Sequence, residues 1–234
     1  MFCFIFFIFH YSFFTVYNMI GIFGGTFDPV HYGHIKPALS VKQSLNLSQL
    51  RFIPNRVPPH RAAPLLSVAQ RLALLQTALK DYPDVLIDER ELYRDGPSYM
   101  VDTLKSLHDE FPDDTLCLII GMDAFLHIAS WHQWRAMFEL CHLVVIQRPG
   151  FERSMIAEHM TADDYQFLAE RMTADASALT SQATGKILLK SVPQLDISST
   201  QVRENLLHGK DIGQWVPAAV CQQLRGFIDD KRRT

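Results

Sequence analysis

A chain of 234 residues, 48% of them hydrophobic and 20% charged, is long enough for one domain with a sizeable core and has the balance of a soluble globular protein. A net charge of −3 and a pI near 6.3 exclude a general nucleic-acid or membrane-surface binder, so an anionic ligand must be held by local positive groups. Four scattered cysteines (Cys3, Cys117, Cys141 and Cys221) form no CxxC pair, which leaves them packing roles and points to a reducing, cytoplasmic setting.

Residues 1–18, "MFCFIFFIFHYSFFTVYN", are half aromatic, and the first charged residue of the chain is Asp28. A signal peptide needs a basic start and a small-residue cleavage site, and neither is present. A membrane span needs about 20 apolar residues. This run reaches that length only by taking Met19 to Phe23, which the next element needs. The expectation is that residues 1–18 are a non-native or disordered leader and that the functional chain begins at Met19.

From Met19 onward, strands alternate with helices. "MIGIF" (19–23) reads as a strand that opens into a glycine-rich turn. "HIKPALSVKQSL" follows as an amphipathic helix, then "LRFIP" (50–54) as strand two. A loop, "NRVPPHRAAP", leads to Ser67 and Gln70, a capping-box pair before "RLALLQTALK". "VLIDE" (85–89) is a strand and "YMVDTLKSLHDEF" a helix. "TLCLIIG" (115–121) and "HLVVIQRPG" (142–150) are continuous apolar runs, as in strands buried on both faces. Residues 151–184 are polar and partly helical, and read as an insertion or mobile connection. "KILLK" (186–190) resumes the sheet, and two helices follow within 198–230, with Gly209 between them. This alternation predicts an α/β fold, a doubly wound, Rossmann-like parallel sheet in one domain over 19–234. Such sheets bind ligands at the carboxyl ends of their strands, where the winding direction switches.

Strand one ends at that location, in "GIFGGTFDPVHYGH" (21–34). Gly24 and Gly25 allow a ligand close to the backbone, and the helix behind them opens with unpaired N–H groups that favour anions. Glycines after a strand often mark only a turn, and a lone histidine is usually surface or core. His31 and His34, however, are three apart and share a helix face. With no carboxylate or cysteine partner they make a poor zinc set, and a phosphate between imidazoles and backbone N–H groups fits better. Near the far end, Ser198, Ser199 and Thr200 open a helix with Arg203 one turn inside. Taken alone this is also an ordinary N-cap, but hydroxyls and a guanidinium there can grip a polyphosphate. Arg148, ending another strand, would add charge.

Together "GGTFDPVHYGH" and "ISSTQVR" resemble the two signatures of the HxGH nucleotidyltransferase superfamily. The chain is further similar to bacterial nicotinate-nucleotide adenylyltransferases through "FIPNRVPPHR", "DERELYRDGPSY", "IIGMD", "SWHQW" and "RPG", in order over residues 19–228. That resemblance implies adenylyl transfer from ATP to nicotinate mononucleotide, giving deamido-NAD and pyrophosphate. It implies that His31, His34 and Arg203 are catalytic. Gly24, Gly25, Thr26, Phe27, Arg148, Ser198, Ser199, Thr200 and Arg203 would line the ATP site. Asn55, Arg61, Tyr99, Gly121, Asp123, Trp131 and His132 would meet the mononucleotide. Mg²⁺ is expected on the ATP phosphates rather than at a protein site, with Asp28 organising the loop. No nucleic-acid or membrane partner is expected, and a homo-oligomer is left open. One position departs: the family pattern has threonine after "PSY", where this chain has Met100, which bears on the choice between acid and amide mononucleotide. The rival readings are a nicotinamide mononucleotide or pantetheine-phosphate adenylyltransferase, a cytidylyltransferase, and a non-catalytic nucleotide sensor. The length and the lack of a KMSK-type motif exclude a class I aminoacyl-tRNA synthetase.

Overall fold

Period-two alternation along the apolar runs sorts their side chains onto two faces, and each face carries its own helices. The computed structural model describes residues 18–58, 63–147, 154–193 and 195–233. The expectation about the leader falls on residues 1–17, outside the described residues. Seven parallel strands form one sheet: β1 Met19–Gly25, β2 Gln49–Pro54, β3 Val85–Ile87, β4 Thr115–Gly121, β5 His142–Gln147, β6 Met172–Thr173 and β7 Ile187–Ser191. Their spatial order is β3-β2-β1-β4-β5-β7-β6, so the winding direction switches between β1 and β4. This is the doubly wound, Rossmann-like sheet that the alternation predicts.

The helices run in chain order as α1 (Tyr32–Ser44), α2 (Val68–Leu79), α3 (Met100–Glu110), α4 (Met122–Leu126), α5 (Ser154–Ala157), α6 (Ala162–Ala169), α7 (Ala178–Ser181), α8 (Ser199–Leu207) and α9 (Ala218–Arg233). In β4, Cys117 and Ile119 join the cluster built by α1, α2, α8 and α9, through Ile35, Leu74, Val202 and Val220. Leu116, Leu118 and Ile120 join the opposite cluster, with Leu104 of α3, Phe125 of α4 and Leu168 of α6. Cys117 and Cys141 are buried free thiols, and burial alone pushes Cys117 up to about 12, so packing is their role.

Two segments differ from the sequence reading. The run "VLIDE" is strand only over Val85–Ile87: the Asp88 N–H still reaches the Phe52 carbonyl of β2 at 2.9 Å, and its carboxylate meets Arg51 at 3.0 Å and Arg90 at 2.9 Å. The described part of 151–184 is packed against the core: β6 pairs in parallel with β7, and Ile156, Leu168 and Leu179 are fully buried. Its polar residues face outward, as where Arg135 holds Asp164 at 2.7 Å. No helix among the described residues is long and apolar enough to cross a membrane.

His142 shows how a buried titratable group ties this edge together. Its Nδ1 accepts the Lys186 N–H at 3.0 Å, so Nε2 must carry the proton and donates to the Gln182 carbonyl at 2.9 Å. Burial depresses its pKa below 6.5, outweighing the support of the carbonyls of Gln182 and Leu179, while the Lys186 charge lowers it further. The neutral form therefore favours folding, and that contribution is complete above about pH 6.5 and is lost as the pH falls through the folded value. Thermal melts should show the midpoint falling on acidification below that pH, with a shallower fall in His142→Gln; identical slopes would contradict this role.

Candidate active site

The carboxyl ends of β1 and β4, neighbours at the switch point, form the floor of the site. β1 pairs with β4 with Ile22 opposite Leu118, and the same register brings Gly25 level with Gly121. On the other side Gly24 and Gly25 lie opposite Ile53 and Pro54 of β2. The Gly25 carbonyl accepts the Asn55 N–H at 3.0 Å, and the Asn55 amide donates to Thr26 Oγ1 at 3.1 Å. Asn55 Oδ1 is buried and has no partner among the described residues.

Beyond Thr26 the chain turns sharply. Phe27 takes a left-handed conformation at φ 49° and buries its ring against Phe23 and Phe52. The ring also gives an edge-on seat to His34, with centroids 5.3 Å apart. His31 is the N-cap of α1, and its ring stacks on that of His34 with centroids 3.7 Å apart. The His31 N–H donates to His34 Nδ1 at 3.3 Å, which leaves Nε2 as the protonated nitrogen of a neutral His34. His31 itself is 3% exposed, and its Nδ1 has no partner among the described residues. Burial lowers its pKa from 6.5 to about 4, so it is a neutral imidazole at physiological pH. It can act there as a hydrogen-bond donor, not as a cation.

Asp28 fastens the turn. Its carboxylate accepts the N–H groups of Leu65 at 2.8 Å and Leu66 at 3.0 Å. Its carbonyl accepts Arg203 Nη1 at 2.6 Å, and the same guanidinium lies 3.6 Å from Asp28 Oδ2. Ser199 Oγ donates to the Pro29 carbonyl at 3.0 Å, and Arg203 Nη2 donates to Thr200 Oγ1 at 3.1 Å. Ser198 and Gln201 close a reciprocal capping box at the start of α8. The two sequence signatures, 170 residues apart, are thus joined directly. Ser199 is tied to main chain, whereas Arg203, with five N–H donors, keeps others for a ligand.

On the far side of the cleft, Tyr99 caps α3 and stacks on His132 with centroids 4.3 Å apart. Trp131 is half-buried beside them and makes no ring stack with either among the described residues. Asp123, exposed in the first turn of α4, places its carboxylate against Gly121. Met100 reaches Gly24, where an added Cβ would lie 2.6 Å from its methyl carbon. Arg61 and Arg148 lie outside the described residues. A separate surface cavity of about 710 Å³, with Phe138, Arg171 and Lys186 in its wall, opens where β5, β6 and β7 begin, away from these strand ends.

Sequence reasoning passed over two residues. Arg71 is 1% exposed and donates to the Thr26 carbonyl at 2.7 Å and the Arg56 carbonyl at 3.4 Å, supporting both sides of the loop. Its signal was available: it shares a helix face with Leu74, Leu75 and Ala78, and a charge in a core position demands a buried partner. Glu91, 2% exposed, lies under the α3 side and had no comparable periodic signal.

The Cytidylyltransferase-like family model matches residues 22–205. The chain is 44% identical over 205 residues to a probable nicotinate-nucleotide adenylyltransferase of Halorhodospira halophila, covering 88% of this chain and 92% of the relative. It is 46% identical over 208 residues to that of Methylococcus capsulatus, covering 88% and 96%. The chain belongs to the nicotinate-nucleotide adenylyltransferase family. The fold matches the nicotinic acid mononucleotide adenylyltransferase of Plasmodium falciparum, solved in complex with NaAD, with a TM-score of 0.67 at 17% identity over 90% of this chain and 96% of that one. This family member is therefore a nucleotidyltransferase by descent, with its two signature segments locked together at the switch point.

That lock has a tight spot at Gly33, where a Cβ would lie 2.9 Å from His31 Nδ1 and 3.1 Å from the Ile197 carbonyl oxygen. Gly33→Ala should displace the His31 ring or part α1 from the lead into α8. The expected result is a lowered Tm together with a loss of adenylyl transfer of about tenfold or more. Wild-type values for both would show that the contact yields freely.

Proposed function

We propose that this enzyme joins nicotinate mononucleotide to ATP, forming deamido-NAD and pyrophosphate. The observation that carries this reading is the direct union of the two signature segments, through Ser199 with Pro29 and Arg203 with Asp28, at the ligand-binding end of the sheet. Two buried polar atoms without partners among the described residues, His31 Nδ1 and Asn55 Oδ1, border the same glycine loop. Buried polar atoms are normally satisfied, so both favour a polar ligand there.

The nucleophile in this reaction is a phosphomonoester whose second pKa is ~6, so it is ionised at neutral pH and needs no general base. One of its oxygens bonds to the α-phosphorus of ATP. The bond from that phosphorus to the β-bridging oxygen breaks, and pyrophosphate leaves with the electron pair. Two polyanions must meet, so positioning and fixed donors carry the catalysis. His34 is held edge-on by Phe27 and Phe23 and would donate from Nε2 to the attacked phosphate. His31, neutral and stacked on it, would donate from a ring N–H without bringing a charge that burial opposes. Gly24, Gly25, Thr26 and Phe27 would lend backbone, and Arg203, Thr200 and the open N–H groups of α8 would hold the β- and γ-phosphates. Asn55, Tyr99, Gly121, Asp123, Trp131 and His132 would receive the mononucleotide, with the Trp131 ring available to stack on the pyridine. The Asp28 carboxylate beside the glycine loop already accepts two backbone N–H groups, which favours Mg²⁺ arriving on ATP. Bound there, Mg²⁺ would neutralise phosphate charge.

Pyrophosphate release assayed with nicotinate mononucleotide, its amide and phosphopantetheine tests the reading: the acid should give the highest kcat/KM. No release with any of them would favour a nucleotide sensor. His34→Ala and His31→Ala should each lower kcat by roughly 10²–10³, the range of a lost transition-state donor. Arg203→Ala should raise the KM for ATP and also lower Tm, since it frees the Asp28 carbonyl. Near-wild-type kcat in both histidine variants would overturn the mechanism.

The family match supports a preference for the acid despite Met100, whose methyl group lies against Gly24. Equal kcat/KM for acid and amide would contradict this, and Met100→Thr would then be expected to restore discrimination.

A further inference from the structure

Glu91 lies in the connection between β3 and α3, outside the residues assigned to substrate. It is 2% exposed, yet it carries a carboxylate. Thr103 Oγ1, fully buried on α3, donates to Glu91 Oε1 at 2.7 Å and itself accepts Arg94 Nη1 at 2.9 Å. The Ser98 hydroxyl accepts the Arg56 N–H at 3.2 Å and faces the same carboxylate closely enough to favour its charged form. Burial pushes the Glu91 pKa up, and the bond from Thr103, the charge of Arg94 and the nearby Ser98 hydroxyl oppose that push. Without these partners the buried group would be costly, so they must stay where they are.

What those partners carry is the mononucleotide side of the cleft. The Ser98 N–H donates to the Val57 carbonyl at 3.1 Å, so residues 56–58 are pinned to the residue before Tyr99. Asn55, one residue before that pinned stretch, donates to Thr26. Thr103 in turn stands one helical turn from Tyr99 and donates its N–H to the Tyr99 carbonyl at 3.3 Å. Tyr99 stacks on His132, and Met100 lies against Gly24. Among the described residues the network reaches the glycine loop through Asn55 and Met100, and no hydrogen bond of it ends on His31, the start of α8 or Arg203.

We propose that Glu91 is a positioning residue for the mononucleotide half of the site: through Ser98 and Thr103 it holds the Asn55 loop and the first turn of α3 in register with the glycine loop. The proposal rests on the adenylyl-transfer reading. It divides the site into a half governed by Glu91 and a half governed by Asp28 and Arg203.

Steady-state kinetics on the full chain, varying nicotinate mononucleotide and ATP separately, test it. Glu91→Ala should raise the KM for the mononucleotide about tenfold or more while the KM for ATP stays within about twofold, the scale expected of a small misplacement on one side. Glu91→Gln, which can still accept the Thr103 proton, should bring the mononucleotide KM back to within about threefold of wild type. If the alanine variant does not fold, Thr103→Val and Glu91→Gln carry the test, and Thr103→Val must raise the mononucleotide KM selectively. An unchanged mononucleotide KM, or both KM values rising together, overturns the inference. An inactive wild-type chain would instead remove the functional reading itself, so the two failures are distinguishable.

Discussion

Backbone bare of side chains, so that a phosphate can approach it, is also backbone with little to hold it in place. The turn from Gly24 to His34 answers that constraint at Asp28. The carboxylate takes the main chain of Leu65 and Leu66, while the carbonyls of Thr26, Asp28 and Pro29 receive Arg71, Arg203 and Ser199 from α2 and α8. Each bond to a charged partner contributes about 1.5–3 kcal/mol, and breaking one strands the other group in a buried setting. The loop is open to ligand because distant helices supply the contacts its own residues lack.

This architecture also sets the electrostatics of the cleft. A buried cationic histidine would be costly, and His31 is accordingly neutral, with its pKa lowered to about 4. At the start of α1 the Tyr32 N–H is already taken by the Trp215 carbonyl and the His34 N–H by the His31 carbonyl, so the charge on this side of the cleft is that of Arg203, held in place by Asp28 and Thr200. Such a donor needs little reorganisation when charge develops, which suits a reaction whose difficulty is bringing two anions together.

Two buried carboxylates organise the two sides of the cleft, Asp28 at 6% exposure and Glu91 at 2%. Each answers a run of chain that has no regular secondary structure: the turn after β1 and the connection between β3 and α3. The sides touch where the Met100 methyl group lies against Gly24.

Much of this was legible in the chain. The apolar runs Thr115–Gly121 and His142–Gln147, the Ser67–Gln70 and Ser198 caps, and the spacing of His31 and His34 are local signals. Hydrophobic burial and helix-end hydrogen bonding act over a few residues, so the strands, their parallel arrangement and the position of the glycine turn followed from them. Polar residues 154–184 were misleading for the same reason: composition reports an outward face, while Ile156, Leu168 and Leu179 bury the other. Only the tertiary structure decided which polar groups meet. Arg203 finds Asp28, Arg71 finds Thr26 and Ser98 finds Arg56 across 175, 45 and 42 residues. The neutrality of His31 was decided there too. A pKa depends on the dielectric and charges around the folded group, and those come from chain segments that no local pattern brings together.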